Sequence, residues 1–285
     1  MSRITVIVGA VVAWAALFPA DMSAGGRRYR GGCDNVGEAG CCTHNICETA
    51  VRNPITQVYS LDTGGVTAYS SYLSPMRYSG WGVALSGEWS KNLKQNPDKI
   101  QMTFAAKLDC SSLLNPAKSA GMLGASAYLG WGLAAQWRPA CRWHFTLGGM
   151  LDLFGGALYL TRNSNNPVTP LAYAGIDLTA SASFRFRFGR LPVVVRDVVR
   201  IPSVGAFFSP QYGETMYEIY LGNRKDLVHF GWWGNSFGIY NLLAFDLMFG
   251  RKFLRLGYRL DLRTFNAENL DTQILRNSFT IAYGF

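Results

Sequence analysis

The chain has 285 residues, of which 49% are hydrophobic, 14% aromatic and only 16% charged, and it contains 31 glycines. Beyond its N-terminal region, no segment has the roughly 18 consecutive apolar residues that a membrane-spanning helix needs. The formal net charge of +9 does not indicate a nucleic-acid partner, because basic residues recur singly among aromatic ones rather than in a cluster. The composition therefore favours strands as the carriers of apolar surface.

The N-terminus has the pattern of an export signal. Arg3 precedes an apolar run over residues 4–18, and small residues follow up to Ala24. A short basic start, an apolar core of about 15 residues and a small-residue exit are typical of Sec signal peptides, and the core is too short for a membrane anchor. We predict a signal peptide over residues 1–24, cleaved after Ala20 or Ala24.

Residues 25–60 show no sustained period, and we interpret them as an irregular periplasmic leader. Four of the six cysteines lie there, beside His44. Export permits oxidation, so one or two disulfides are the favoured interpretation. A zinc knuckle is disfavoured because a second CxxC or HxxxH arm is lacking, and a leader with free thiols is the third alternative. The four cysteines are Cys33, Cys41, Cys42 and Cys47.

The remainder, residues 61–285, alternates apolar with small or polar residues, which places the two kinds on opposite faces of strands. The pattern is cleanest near the middle, where Phe184 and Phe186 share one face and Arg185 and Arg187 the other. Several segments exceed the roughly nine to eleven residues with which a tilted strand crosses a membrane. We count about ten strands, the first with signals beginning only near Gly64.

The lengths of the connections give an independent criterion, since bacterial outer-membrane barrels have short periplasmic turns and longer external loops. The links after strands two, four, six and eight are short, and the others are longer except the first, predicted at 74–79. Both termini are then periplasmic. The short links are at 92–98, 138–142, 189–190 and 250–252, and the longer ones at 111–120, 161–170, 202–235 and 265–272.

The link at 202–235 is the longest and the most aromatic, which argues against disorder. We predict an ordered external loop that covers the barrel mouth or presents a binding surface. The alternative is two extra short strands near Val204–Phe208 and Val228–Trp232, which would raise the count to twelve.

These patterns predict an all-β protein, a transmembrane antiparallel up-and-down β-barrel of about ten strands, in contact with outer-membrane lipid. A soluble lipocalin-like barrel is the main rival, and it would point its apolar faces inward. We reject it because the polar faces consist mostly of Gly, Ala, Ser and Thr with sparse charges of both signs. Such faces suit a crowded lumen better than a solvated exterior.

The last strand ends the chain on an aromatic residue. This ending resembles the assembly signal of Gram-negative outer-membrane barrels, which implies recognition by the barrel-assembly machinery. The residues of the signal are Phe279, Ile281, Tyr283 and Phe285.

Three stretches are similar to an uncharacterised family of exported outer-membrane β-barrel proteins from Bacteroidetes-type bacteria, known as a domain of unknown function. They are Tyr72–Trp81 (YLSPMRYSGW), Gly205–Asn223 (GAFFSPQYGETMYEIYLGN) and Leu227–Asn235 (LVHFGWWGN). The resemblance runs from about Asn53 to the end. It implies an outer-membrane location and brings no functional residues with it.

Charged residues on the polar faces are the candidate functional residues. Buried charges must pair or stay hydrated, so an internal salt-bridge network that fills the lumen is favoured over a conduction path. The arginine excess on the penultimate strand would prefer anions if anything binds or passes. The predicted lumenal charges are Glu88, Lys107, Asp109, Asp152, Asp177, Arg185, Arg187, Asp246, Arg255, Arg259, Asp261 and Arg263.

The sequence does not support catalysis, a cofactor or a metal site. His144 is expected at the periplasmic end of its strand, and His229, near Glu214 and Asp226, is accompanied by no nucleophile motif. A structural, binding or narrow-transport role is the leading hypothesis. An outer-rim hydrolase and a barrel subunit of a secretion or uptake assembly are the alternatives.

Overall fold

The computed structural model describes residues 55–93, 99–140, 142–163, 166–210, 216–222 and 226–285. The predicted signal peptide, the four clustered cysteines and Cys141 lie outside the described residues. The first strand begins at Ile55, six residues before the predicted start of the barrel at residue 61. The alternation of apolar and polar residues in this strand is weak, because its inward-facing residues include both apolar Val58 and polar Asp62.

The described residues form eleven strands and one five-residue helix. No helix in this part of the chain is long and apolar enough to cross a membrane. The elements are β1 Ile55–Ser70, β2 Ser74–Asn92, β3 Ile100–Leu114, β4 Gly121–Ala140, β5 Trp143–Leu160, β6 Val168–Phe188, β7 Leu191–Phe208, α1 Met216–Tyr220, β8 Val228–Trp232, β9 Gly238–Phe249, β10 Lys252–Ala267 and β11 Leu270–Gly284.

Ten of the described strands close into an antiparallel barrel. Consecutive strands pair from β1 to β7, β7 then pairs with β9, and the ring closes where β11 pairs with β1. We call the end with the links after β2, β4, β6 and β9 the turn end, and the opposite end the loop end. Both the start of β1 and the chain's last residue lie at the turn end, where Gln57 and Phe285 exchange backbone hydrogen bonds.

The register shows how strongly the strands tilt. Following direct partners once round the barrel from Asn92 on β2 leads back to β2 at Gly80, twelve residues away. Closure with such a stagger requires a tilt of about 35–45°. The partners passed on the way are Gln101, Ala134, Gly148, Thr179, Arg200, Tyr240, Asp261, Arg276 and Val66.

The links at the turn end agree with the predicted positions, whereas those at the loop end are shorter than predicted. The first link is residues 71–73, which fall within the first predicted strand, and the predicted link at 74–79 belongs to β2. The last is a two-residue turn, Glu268–Asn269, with φ of 51° and 92°. Strands continue beyond the apolar alternation because backbone pairing does not depend on apolar side chains. The pattern of short and long links is therefore less regular than we predicted.

The long link contains an extra strand, as one alternative predicted. β8 pairs with Val204–Phe208 over its full length, but those residues form the end of β7. Along one edge, β7 pairs with β9 nearer the turn end and with β8 nearer the loop end. β8 therefore extends the barrel wall and is not an additional strand of the ring. The count of twelve is therefore wrong and ten is confirmed.

The apolar faces point outward and the polar faces inward. Trp81 is 70% exposed, and Leu147, Leu151 and Ile281 are each about half exposed on the outer surface, whereas Asp152 is 0% exposed. Water-exposed apolar rows of this extent are rare on soluble proteins. The inside-out arrangement is that of a transmembrane barrel and excludes the lipocalin-like alternative.

An aromatic band surrounds much of the turn end. Trp89 of β2 lies 5.8 Å from the Tyr59 ring and 5.5 Å from the Phe104 ring, so the band runs across three neighbouring strands. On the far side, Trp143 packs on Phe184 with 4.8 Å between ring centroids. Such girdles mark the height at which barrel strands leave the hydrocarbon for the headgroup region.

An apolar core fills the interior at the loop end. Phe265 of β10 lies at its centre, with ring centroids 5.3 Å from Phe207, 6.1 Å from Tyr173 and 6.5 Å from Phe154. Strands from all round the ring contribute side chains, which we call the loop-end core. Its members are Val66, Ala68, Leu73, Tyr78, Leu113, Met122, Phe154, Leu158, Leu160, Leu171, Tyr173, Phe207, Phe265, Ala267 and Ile274.

A register shift explains why the facing of β7 could not be predicted. Asp177 pairs with Pro202 but the preceding Ile176 pairs with Val204, so one extra residue stands in β7. A bulge of this kind reverses which alternate residues point inward. Arg200 therefore faces the lumen before the bulge, and Phe207 faces it after the bulge.

Candidate functional site

The interior between the loop-end core and the turn end is crossed by ion pairs. Arg263 on β10 binds Asp152 on β5, with 2.8 Å between Nη2 and Oδ2. Lys107 on β3 donates to Asp261 on β10 at 2.5 Å. Neither pair joins neighbouring strands, so both pass through the lumen. Because Asp152 is 0% exposed, this pairing offsets a desolvation cost of several kcal/mol per ion.

Two further carboxylates are anchored in the same layer. Asp62 on β1 accepts hydrogen bonds from Arg259 and, at 2.6 Å, from the Thr280 hydroxyl. Asp109 on β3 pairs with Arg276 on β11. Both arginines lie on a strand that does not adjoin the strand of their acid. These ion pairs therefore connect strands that are not hydrogen-bonded to each other.

Arg255 and Asp246 form the one bidentate pair among the described ion pairs. Nε binds Oδ1 at 2.6 Å and Nη2 binds Oδ2 at 2.9 Å, and both side chains are buried. This fork geometry is the strongest arrangement for an arginine and a carboxylate. Arg196 approaches the same carboxylate with Nε at only 3.6 Å from Oδ2. The Asp246 carboxylate is thus hydrogen-bonded to Arg255, and Arg196 is a more distant second cation beside it.

Arg200 on β7 is held by aromatic side chains. Its guanidinium lies 3.9 Å from the Tyr240 ring centroid and 4.9 Å from that of Tyr128, and it donates to the Tyr128 hydroxyl and, at 3.3 Å, to the Met150 sulfur. Among the described residues no carboxylate lies within 4 Å of it. Cation–π contact replaces part of its lost hydration without neutralising its charge.

A cavity of about 90 Å³ lies on the turn-end side of this layer. Five of the described residues that line it are basic and one, Glu88, is acidic. Hydroxyl side chains from β1, β2, β3, β5 and β6 complete the polar part of its wall. The basic residues are Lys107, Arg196, Arg200, Arg255 and Arg259. We call this space the arginine cavity.

The structure brings most of the predicted lumenal charges together. Asp177 is buried with its Oδ1 free of hydrogen bonds to described residues. Arg185 and Arg187 lie near the turn end of β6, where Arg187 is exposed and therefore outside the ion-pair layer. Those that pair or line a cavity are Glu88, Lys107, Asp109, Asp152, Asp246, Arg255, Arg259, Asp261 and Arg263.

Four interior charges were not predicted. Asp62 was missed because the first strand was placed too late, and Arg276 lies on the face of the last strand opposite the predicted assembly residues. Arg196 and Arg200 stand in LPVVVRDVVRI, where apolar residues occupy both faces and the alternation gives no direction. The bulge that follows them, which reverses the inward-facing set between Arg200 and Phe207, has no clear sequence signal.

The predicted assembly residues all face outward on β11. Phe279, Ile281, Tyr283 and Phe285 are between 41% and 50% exposed. Gly284, between the last two, faces the interior, where an added Cβ would come within 2.1 Å of the Phe253 ring. The outer face of the last strand is therefore open to a partner or to lipid, while its inner face is tightly packed.

The two described histidines make structural contacts. His144 at the turn end is 3.0 Å from Gln136 Oε1, and His229 on β8 lies 3.3 Å from the Ser209 carbonyl and 5.5 Å from the Phe207 ring. Cys110 is an exposed free thiol. Within the described residues, no three His, Cys, Asp or Glu side chains are placed to hold a metal ion.

A closed antiparallel barrel with an apolar exterior and a charged interior defines the class of transmembrane β-barrels. The chain belongs to the family described as "Protein of unknown function (DUF3316)", whose model matches residues 44–285. The resemblance to an uncharacterised family is thereby confirmed. No curated protein is significantly similar to the sequence.

Solved structures with a similar fold are outer-membrane barrels. The transport unit of the autotransporter AIDA-I from Escherichia coli aligns with a TM-score of 0.46 at 4% identity, over 82% of this chain and 89% of that one. The translocator domain of the autotransporter NalP from Neisseria meningitidis gives 0.36 at 8% identity, over 84% and 91%. An outer membrane channel from Pseudomonas putida F1 gives 0.33 at 9% identity, over 81% and 94%. Similarities this low carry no information about activity.

Proposed function

We propose that the protein is an outer-membrane barrel whose lumen is closed, and that it serves a structural or binding role rather than forming an open channel. The loop-end core carries this proposal. Phe207, Tyr173, Phe154 and Phe265 are each less than 10% exposed and pack on one another across the interior. Small barrels have interiors only wide enough for side chains to fill. A packed and mostly apolar layer offers no hydrated path to ions.

The turn end faces the periplasm in this proposal. Both ends of the described barrel lie there, together with four short links, which is the arrangement of bacterial outer-membrane barrels. The loop end, with β8 and the exposed α1, then faces the outside. An epitope inserted at Gly222, next to α1, should be labelled on intact cells. Labelling only after permeabilisation would invert this orientation.

Location is tested by fractionation together with gel mobility. A folded barrel should sediment with the outer membrane and migrate anomalously unless boiled. Recovery as a soluble periplasmic protein would end the membrane proposal.

The closed lumen is tested by conductance in planar bilayers. The wild type should give no channel events, whereas the double variant Phe207→Ala/Phe265→Ala should open a path through the loop-end core and conduct. Phe245→Ala is the matched control, because Phe245 lies on the outer face and is 47% exposed. Steady conductance by the wild type would contradict the proposal.

Recognition of the last strand by the barrel-assembly machinery is part of the same proposal, supported by the exposed outer face of β11. Deleting Phe285 should lower the amount of folded protein in the outer membrane. Leu275→Ala, also on the outward face, is the appropriate control; Gly284 is unsuitable because any side chain there meets Phe253. Equal amounts of folded protein from the deletion and the control would refute a signalling role for the terminal residue.

A further inference from the structure

The arginine cavity is lined by more basic groups than have a carboxylate of their own. Lys107, Arg255 and Arg259 each have one, at Asp261, Asp246 and Asp62 respectively. Arg196 and Arg200 remain, both on β7 and separated by one inward position. Neither holds a carboxylate that is not already bound by another arginine.

Two buried arginine nitrogen atoms also lack a hydrogen-bond partner among the described residues. They are Arg196 Nε and Arg259 Nε. Arg259 is 6% exposed, so its free N–H cannot be hydrated from bulk solvent. Buried N–H groups of charged side chains are costly to leave unsatisfied. Both atoms belong to residues that line the same cavity.

Glu88 does not cancel the excess. It is the one acid among the described residues lining the cavity, and it stands on β2, whereas Arg196 and Arg200 stand on β7. No ion pair within 4 Å joins Glu88 to a described basic residue, and the buried Asp177 makes none either. Within this part of the chain, Arg200 is therefore left without a carboxylate in direct contact.

We propose that the arginine cavity binds a small oxyanion, a phosphate group either free or at the end of a larger molecule. Guanidinium groups bind phosphate oxygens through paired N–H donors, and the hydrogen-bonded hydroxyl pairs Ser60–Ser86 and Thr146–Ser181 each leave one further donor in the lining. The volume of about 90 Å³ accommodates one such group. This inference rests on the proposed closed lumen, because the loop-end core makes the cavity a pocket open only towards the turn end.

Binding is measured by calorimetry on the full chain, folded in detergent micelles at low ionic strength in a buffer without phosphate. Sodium phosphate should give saturable binding at one site per chain, and sodium chloride at equal ionic strength should not. A phenyl phosphate titration separates the two sources: affinity equal to or above that of inorganic phosphate identifies a terminal phosphate group as a ligand, and loss of binding restricts the site to free phosphate.

The variant Arg200→Gln should weaken phosphate binding at least about tenfold, since it removes a guanidinium group that has no carboxylate in direct contact and, with it, a fork of donors. Arg196→Gln, nearer the turn end and partly exposed, should weaken it comparably and is the safer variant for folding. Arg77→Gln on the exposed part of β2 is the matched control and should bind as the wild type does. Heat-modifiable mobility reports that each variant is folded.

Two outcomes overturn the inference: no saturable binding of phosphate beyond that of chloride, or unchanged affinity in folded Arg196→Gln protein. Conductance on the same preparation separates this failure from that of the proposed function. If the barrel does not conduct and binds no phosphate, only the anion site is refuted. If the barrel conducts, the closed lumen is refuted, whether or not phosphate binds.

Discussion

The two halves of the barrel interior are filled by side chains of opposite polarity. At the loop end, Phe207 and Phe265 fill the space with apolar contacts, whereas the middle and turn end are held by pairs such as Arg263 with Asp152. Both sets of side chains come from inward-facing positions on shared strands, β10 among them. An inward position therefore does not determine polarity; depth along the strand does. The apolar half closes the lumen, and the charged half leaves a cavity.

Breaking an ion pair in the charged half should have the largest effect. Arg263→Leu leaves the Asp152 carboxylate buried without its cation, and we expect a loss of about 3–5 kcal/mol in the free energy of unfolding. Urea titration in lipid vesicles, followed by tryptophan fluorescence, measures it. Arg77→Leu, at an exposed position, should change stability by less than about 0.5 kcal/mol. Removing both Arg263 and Asp152 should restore part of the loss. Equal losses in Arg263→Leu and Arg77→Leu would show that the ion pair is not buried.

Emptying the apolar half should cost somewhat less. Phe265→Ala removes the ring at the centre of the loop-end core, and we expect a loss of about 3 kcal/mol, at the low end for Phe in a core because water can enter the space from the loop end. The same urea titration applies. Phe188→Ala is the control, since Phe188 is 78% exposed beside the 189–190 turn. A loss no greater than that of the control would mean that the interior is loosely packed.

The smallest effect sharpens the comparison within the charged half. Thr280→Val keeps the shape of a 0% exposed side chain but removes its hydrogen bond to Asp62, at a cost of about 1.5 kcal/mol. Thr63, the residue after Asp62 on β1, faces outward, so Thr63→Val should be nearly neutral. If both substitutions prove neutral, Arg259 alone satisfies Asp62.

Much of the barrel follows from local pattern. Alternation identified the outer face through residues such as Leu147 and Ile281, and the two-residue link at 189–190 was placed correctly because glycine and a polar residue interrupt an alternating run. Acidic and basic residues at inward positions could also be assigned to the interior, as for Asp152 and Arg263.

Partners and depth could not be predicted. Arg263 meets Asp152 only because the ring closes with a stagger of twelve residues, a global quantity with no trace in any one strand. The bulge opposite Asp177 sets the facing of Phe207 relative to that of Arg200, and it depends on how β6 and β7 pair. The loop-end core went unpredicted because Phe207 and Phe265 fell in segments assigned to links.

The pairing of β1 with β11 constrains how the protein can fold. Val58 lies beside Gly284, so the seam of the barrel joins residues separated by almost the whole described chain. Closing so long a loop is entropically costly, and contacts of high sequence separation form slowly. Until β11 arrives, β1 has a bare edge, and Asp62 lacks both the Thr280 hydroxyl and the register that brings Arg259 to it. β11 is thus required before β1 is stable, and until the two strands pair the unfinished sheet must be kept from aggregating through its open edges.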